Sequence, residues 1–570
     1  MSASTSNDSA IALIALHAGY SHSSLALQSI ALYSRHQPYY PQIHLFETLV
    51  NKSHQQLLEQ LVALNPRVIG FSTYLWNIQA CLQLVGLLDQ LLPDCTILMG
   101  GPEAGPRGEA LLADHPEIDF VIDGEGEAPF QELVCWTLYG QGELGGIFGL
   151  IYRDAGEIRR NPIRTLPLEQ IPAPIADGTM DFSRPLVYWE TSRGCPFKCT
   201  FCTSATDRLR AFPPERIEAD LAVIETLREK VIKLLDRSFH LGKERTLRLL
   251  ERFAATPAGL RFHLELNPDR ISAEAMQIFS RSAPGKFQFE IGLQTLDEPV
   301  LNAIERKMQI PLALQNIRQL VEMSRHPVHL DLIVGLPGED AASCRDSLNR
   351  VFWLHADHLQ LGTLKLLPGT PLLEQAEAFG YRWNHNPPYE VLSHPLLSFQ
   401  EIARFKRYAE LLERLWNSDY LTSTLTWLVP AYFEDRVSDC FDRLMEQVGE
   451  GIARDNLQPD SLFDLLCRFM APYLERDPVL GELLLWDYSR FSLVNNKTPV
   501  WIAQRLQGTS THAVAGSRRR LPVLSLTEAA VEIINRRRLD PLSAGQYAVW
   551  PRQHKIGKPV QIIRVSQTES

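Results

Sequence analysis

Positive charge is in short supply in this sequence. Lys and Arg number 56 against 67 Asp and Glu, which leaves 570 residues with a net charge of −11. A chain that grips nucleic acid broadly needs the opposite balance, so none is expected as a partner. Long apolar runs are missing as well: none reaches the length that spans a bilayer, and no membrane association is expected. The opening MSASTSNDSA has neither a basic nor an apolar stretch, so no signal peptide is expected. Cysteine is sparse. Of nine cysteines, Cys81, Cys95, Cys135, Cys344, Cys440 and Cys467 are scattered singly, without the regular pairing of a disulfide scaffold. A reducing, cytoplasmic location is the expectation. Repeats and low-complexity tracts are absent. The composition, 45% hydrophobic and 22% charged, is otherwise that of a globular protein. Its length calls for roughly two to four domains.

The remaining cysteines crowd into one segment. ETSRGCPFKCTFCTS (190–204) places Cys195, Cys199 and Cys202 in C-x3-C-x2-C spacing. Three thiolates on one tight loop can hold three irons of a 4Fe–4S cluster and leave the fourth open to a small molecule. The alternatives are a zinc loop or three unrelated cysteines. Structural zinc wants four ligands, usually from two CxxC-like pairs, and no second pair is present. The spacing, with Phe201 just before the last Cys, resembles the radical S-adenosylmethionine (radical SAM) superfamily.

Four regions follow from the pattern of apolar runs. Residues 1–150 alternate short strands (11–16, 43–48, 68–73, 96–101 and 120–124) with helical stretches, one of them opening at Ser53 and Gln56 in capping-box spacing. This reads as an α/β doubly wound sheet, flavodoxin-like or Rossmann-like, whose ligands bind at the carboxyl ends of the strands. Residues 151–184 are proline-rich and read as a linker. From 185 to 385 six strand–helix units follow, too few for a closed eight-stranded barrel and suited to a partial (β/α)6 barrel. Residues 386–570 read as a mainly helical C-terminal domain. Its two arginine triplets, Arg518–Arg520 and Arg536–Arg538, read as solvated surface.

The barrel strands end in residues suited to SAM, whose ribose hydroxyls ask for a carboxylate or amide and whose carboxylate asks for a cation. Glu265 and Asn267 lie in HLELNPD, Gln294 and Arg306 in EIGLQTLDEPVLNAIERKM, and Asp331 in DLIVGLPGED. The series resembles the radical SAM branch of the oxygen-independent coproporphyrinogen oxidases and cobalamin-dependent members. That resemblance implies that Glu265, Gln294, Arg306 and Asp331 line the SAM site. LLDRSF (234–239) stands where the family often has a GGE-type loop, and LKLLPGTPL (364–372) resembles the sixth-strand motif.

A doubly wound domain ahead of such a barrel resembles the cobalamin-binding radical SAM class. On that resemblance Ser72, Thr73, Tyr74 and Asn77 in GFSTYLWN face the corrin. Gly100 and Gly101 admit it closely, and Gly124 and Gly126 shape the pocket for its nucleotide tail. The motif D-x-H-x-x-G, whose His ligates cobalt from below, is absent; His17 and His22 flank the first strand-end loop at the wrong spacing. Base-off cobalt or a vestigial domain both stay open. The segment from 387, PPYEVLSHPLLSFQEIARFKRYAELLERLWNS, looks like a C-terminal domain of unknown function found behind the barrel in one such group.

The resemblance implies an enzyme that uses a 4Fe–4S cluster to cleave SAM to a 5′-deoxyadenosyl radical. The reaction it implies is cobalamin-dependent methylation of an unactivated carbon in a small-molecule substrate, with an electron donor such as flavodoxin or ferredoxin as partner. The rival chemistries are cobalamin-dependent rearrangement, cyclisation or oxidation; a rival of another class is a non-catalytic redox or cofactor sensor.

Overall fold

The apolar runs of the first 122 residues fold as parallel strands, and those inside the sheet are covered on both faces, which is why they read as nearly continuous hydrophobic stretches, while the edge strand Ile43–Leu49 is only half-buried. The computed structural model describes residues 10–565 apart from 206–207, 240–241, 324, 454–456, 493–494, 508, 514–519, 537–541 and 551–559. In the first sheet, β1 (Ile11–His17), β2 (Ile43–Leu49), β3 (Val68–Ser72), β4 (Thr96–Gly100) and β5 (Phe120–Ile122) are all parallel. Their order, β2-β1-β3-β4-β5, is flavodoxin-like. Every residue of β1 and β3 is buried, between one core on each side of the sheet. The helix expected to open at Ser53 is Gln55–Leu64 and has no side-chain cap.

The sheet runs on where a linker was expected. β6 (Leu150–Asp154) and β7 (Glu157–Arg160) form an antiparallel hairpin on its β5 edge. Prolines enter only after that hairpin, so irregular chain begins about ten residues later than 151.

The second sheet starts with β8 (Leu186–Trp189). β9 (Ser192–Arg193) and β10 (Arg210–Ala211) then pair with each other around the cysteine loop. β11 (Lys230–Leu234), β12 (Leu260–Glu265), β13 (Phe287–Gln294), β14 (Val328–Val334) and β15 (His358–Thr363) complete six parallel strands in the order β15-β14-β13-β12-β11-β8. Sequential parallel order without closure is the partial barrel expected. Its strands differ from those of the first sheet: along β13 and β14 buried and half-buried residues alternate strictly. One face packs under helices and the other is left open.

The two edges of this barrel are both covered. Ser21 accepts a hydrogen bond from the Leu186 amide of β8 at 2.9 Å. On the far edge the π-helical turn Leu412–Asn417 presents Asn417, whose amide both accepts from Leu359 N (2.9 Å) and donates to Leu359 O (3.1 Å). A capping box does occur there, at Ser398 and Glu401, opening the helix Phe399–Leu411. Helices Thr422–Phe433, Val437–Val448, Pro459–Leu474 and Pro478–Ser489 follow, and their core is continuous with that of the barrel.

The C-terminal region is less uniformly helical than its sequence pattern predicts. After the short antiparallel pair β16 (Arg382–Trp383) and β17 (Val391–Ser393), it ends in an antiparallel sheet of β18 (Thr511–Ala513), β19 (Arg520–Leu526), β20 (Gly545–Trp550) and β21 (Gln561–Arg564). Helix Glu528–Asn535 lies between two of these strands in sequence. Arg518, Arg519, Arg537 and Arg538 lie outside the described residues, as does the side chain of Arg520. No helix among the described residues is long and apolar enough to cross a membrane.

Candidate functional site

The cysteine loop leaves β9 through Gly194, whose φ is +84° and whose Cβ position lies 2.4 Å from Arg208 O, so no side chain fits. The turn then closes on itself, with Cys202 N donating to Cys199 O at 3.0 Å and Ala205 N to Cys202 O at 3.1 Å. Cys199 is buried; Cys195 and Cys202 are half-buried, and all three are free thiols. Burial pushes the thiols of Cys195 and Cys202 up, and the neighbouring loop cysteines add to it. Among the described residues no three His, Cys, Asp or Glu side chains converge as they would on a single metal ion. An iron–sulfur cluster asks for a different arrangement, each thiolate on its own iron, and three mutually interacting thiols on one turn suit it.

Two sets of charges fix the base of this loop. Asp236, fully buried after β11, accepts hydrogen bonds from Thr191 N (2.9 Å), Thr191 Oγ1 (2.5 Å) and Ser192 Oγ. Arg193 is held by Glu127 at 2.7 Å, Glu190 at 3.1 Å and Glu125 at 3.4 Å, while Arg210 also bonds Glu125. Glu125 lies in the loop after β5 of the first sheet, and Glu127 opens the helix Glu127–Tyr139 that follows it. The cysteine loop is therefore tied to the other domain.

Beside the cysteines the structure gathers Arg306, Gln294 and Asn267. Arg306 donates to Gly292 O, to Asn267 Oδ1 at 3.2 Å and to Cys199 Sγ at 3.5 Å. Its Nε is buried without a hydrogen-bond partner, a donor that fits an anionic ligand. Gln294, at φ +71° on a bulge in β13, lays its amide over Gly292. Glu265 sits near enough to Cys202 to act on it; burial, with Glu290 next, raises its carboxyl to about 7. Asp331 lies opposite Gly292 in register, but its carboxylate stands 3.1 Å from His329 Nε2. Its carboxylate therefore already has a partner on its own strand.

At the first sheet the strand-end residues divide. Thr73 and Asn77 were expected to face a ligand, and both are buried instead. Thr73 Oγ1 donates to Gly100 O at 2.8 Å and accepts from Ala104 N at 3.0 Å. Asn77 accepts from Tyr74 N at 2.7 Å and donates to Leu16 O and Ser72 O. They shape the loop after β3 from within. Gly101 does the same: its φ is +109°, and a Cβ there would lie 2.5 Å from Thr73 O. Ser72 is buried beneath Tyr74, and Gly100 is half-buried. Gly124 is exposed and Gly126 half-buried on the loop that carries Glu125 and leads into the helix opened by Glu127. The exposed residue after β3 is aromatic: Trp76, half exposed, stacks at 4.5 Å on the largely buried Tyr74.

The ends of β1 and β3 meet the barrel directly. His22 packs on Tyr188 of β8 with ring centroids 4.1 Å apart, and His17 lies edge-on to His22 while bonding Glu47 at 2.8 Å. Burial, with help from His17 and Arg184, lowers His22 to about 4, so its imidazole is neutral. Tyr74 lies within electrostatic reach of Glu190 and Arg237 of the barrel. Tyr389, at the start of the C-terminal region, adds a third tie: its hydroxyl donates to Glu103 and accepts from Arg107 at 2.7 Å.

Several of these residues escape a reading of the sequence. Arg193 adjoins the cysteine motif, yet its three carboxylate partners are distant in sequence. Exposed Arg237 acts on Tyr74, Cys202 and Glu265. Its one signal is its place in LLDRSF at the end of a strand.

Family models match in the same order as these regions: the B12 binding domain over residues 11–134, the Radical SAM superfamily over 189–351, and a protein of unknown function (DUF4080) over 377–526. The chain is 28% identical to a cobalamin-dependent radical SAM methyltransferase of Streptomyces tokunonensis, over 58% of this chain and 51% of that one. It is 28% identical to a 2-(S-pantetheinyl)-carbapenam-3-carboxylate methyltransferase of Streptantibioticus cattleyicolor, over 56% and 49%. The chain thus spans about half the length of these two relatives. An uncharacterized methyltransferase of Pyrococcus horikoshii is 24% identical over 63% of this chain and 79% of its own. Among solved structures, the cobalamin-dependent S-adenosylmethionine radical enzyme OxsB with aqua-cobalamin bound shares the fold, at a TM-score of 0.60 and 15% identity over 84% of this chain and 80% of that one.

Proposed function

We propose that this chain, a radical SAM protein with a B12 binding domain ahead of its barrel and a DUF4080 domain behind it, methylates an unactivated carbon of a small molecule. One observation carries the reading. The ends of β1 and β3, where a flavodoxin-like sheet takes its ligand, meet the barrel near the cysteine loop: His22 packs on Tyr188, and Tyr74 lies within electrostatic reach of Glu190 and Arg237. A methyl donor held in the first sheet and a radical source held in the second would share one space.

Cys195, Cys199 and Cys202 would hold a 4Fe–4S cluster. Arg306 would meet the SAM carboxylate through its unpartnered Nε, with Gln294, Glu265 and Asn267 around it and Asp331 at the margin. Tyr74 and Trp76 would offer flat apolar faces to a corrin, over a loop that Thr73, Asn77 and Gly101 make rigid. Gly100, Gly124 and Gly126 would border it. Bound there, cluster and SAM supply a radical able to take hydrogen from an unactivated carbon, and cobalamin supplies the methyl group. The chain's own part is to orient these groups and exclude water. Glu125, Glu127, Arg193 and Arg210 serve orientation by locking the cysteine loop to the first domain. An electron donor of the flavodoxin or ferredoxin kind completes the system in a cytoplasmic setting. Two of the relatives are named for cobalamin-dependent and carbapenam methyl transfer, which supports the reaction class.

The test is anaerobic reconstitution with iron, sulfide and cobalamin, followed by incubation with SAM, reductant and a metabolite extract. Formation of 5′-deoxyadenosine together with a product heavier by one methyl group is expected. Cleavage of SAM without any methylated product would overturn methyl transfer.

A further inference from the structure

The open face of the barrel is not a packed core. On β12, β13 and β14 the residues Leu264, Phe289, Ile291 and Leu330 are completely buried under the helices. Their neighbours on the other face are titratable. Lys233, His263, Glu290, His329 and His358 keep between 12% and 35% of their side chains exposed. Lys233 reaches past β12 to Glu290 at 3.0 Å, and His263 meets the same carboxylate at 2.8 Å, so three adjacent strands present these groups to one side. His329 continues the row, its ring 4.1 Å from that of His358. Nδ1 of His358 is buried with no hydrogen-bond partner. A closed barrel fills this volume with branched apolar side chains. Here it is a trough floored by charge.

The trough lies where two cofactor sites would overlook it. At one end His22, from the loop after β1, packs on Tyr188 and feels Lys233. On β12 the next residue of the same face is Glu265, which acts on Cys202. Covering such a floor with hydrocarbon would strip water from Lys233, Glu290 and the histidines and return no hydrogen bonds, a heavy penalty. A ligand with its own hydroxyl, amide, amine or carboxylate groups replaces that water.

We infer that this trough seats the methyl acceptor, and that the acceptor is a hydrophilic, hydrogen-bonding small molecule rather than a lipid. The inference rests on the methyl-transfer reading above. Its test separates the two. Holoprotein reconstituted with cluster and cobalamin is incubated anaerobically with SAM, a one-electron reductant and either the aqueous or the chloroform–methanol fraction of an extract from cells that express it. A product heavier by one methyl group is expected from the aqueous fraction alone. With Lys233→Met its yield should fall at least about tenfold, the loss of one charge-assisted contact, while cluster absorbance reports that the variant has folded. A methylated product from the lipid fraction would overturn the substrate class and keep methyl transfer. An aqueous product made as well by Lys233→Met would remove the trough as its seat. Accumulation of 5′-deoxyadenosine with no methylated product from either fraction would overturn the methyl-transfer reading, and this inference with it.

Discussion

Arg306 places one guanidinium nitrogen 3.5 Å from the Cys199 sulfur and another 3.2 Å from Asn267 Oδ1. One side chain thus joins the cysteine loop to the strand ends where SAM would lie. Arg306→Ala is expected to weaken SAM binding by about 2–3 kcal/mol, the cost of a charge-assisted hydrogen bond, and to leave cluster absorbance in place. Gln294→Ala should cost about 1–2 kcal/mol on the same scale. Equilibrium dialysis with labelled SAM measures both; unchanged affinity in both variants would mean that SAM is held elsewhere.

Alanine at Cys195, Cys199 or Cys202 should abolish SAM cleavage, since each removes an iron ligand. Serine at each of the other six cysteines should leave the cluster intact, even where burial, as at Cys81 or Cys440, makes the change costly to stability. Reconstituted protein should carry about four irons per chain. Iron and sulfide analysis decides, and one zinc with no sulfide would end the cluster reading.

Cobalamin should bind base-off, with no imidazole from the protein beneath the cobalt. His17 is committed to Glu47, and His22 packs between His17 and Tyr188 with Nδ1 3.1 Å from Ser21 Oγ. The electron paramagnetic resonance spectrum of the Co(II) form should lack nitrogen superhyperfine splitting and be the same in His22→Ala. Splitting that disappears in that variant would make His22 the ligand.

Asp487 gives the C-terminal helices a pH dependence. It is fully buried and accepts from Thr424 N and Oγ1, both at 2.8 Å; burial raises its carboxyl from 3.8 to about 6. The folded state holds this proton more tightly than the unfolded chain. The group's contribution is therefore complete below pH 4 and declines as pH rises towards 6. About 2–3 kcal/mol is at stake over that window. Chemical denaturation of wild type and Asp487→Asn at pH 4.5 and 7.5 measures it, and the variant should show the smaller pH dependence.

The strands of both parallel sheets are legible in the sequence because each is a short apolar run set off by turn residues. The cysteine loop is legible because three ligands fall within eight residues. What escapes depends on distant partners. The hairpin Leu150–Arg160 borrows its pairing from β5, and nothing local separates it from the prolines that follow. The terminal sheet is an antiparallel meander of successive strands, but helix Glu528–Asn535 interrupts it and one strand has Pro522 inside it, which masks the strand pattern. The outward or inward aim of Thr73 and Asn77 was set by how the loop after β3 folds back on Gly100 and Leu16, which no spacing records. Asp331 is legible as a strand-end carboxylate, but its pairing with His329, two residues away on the same strand, depends on side-chain aim that the strand pattern does not carry.

A barrel that stops at six strands has two raw edges, and an unpaired strand edge is a template for any other chain that can lie along it. Here Ser21 occupies one edge at Leu186 and Asn417 occupies the other at Leu359. The flanking regions therefore cap the edges of the central sheet as well as contributing to the site. The barrel cut out by itself should gather into aggregates by edge pairing, and a break of the Asn417 contact, as in Asn417→Ala, should lower the concentration at which the intact chain begins to self-associate.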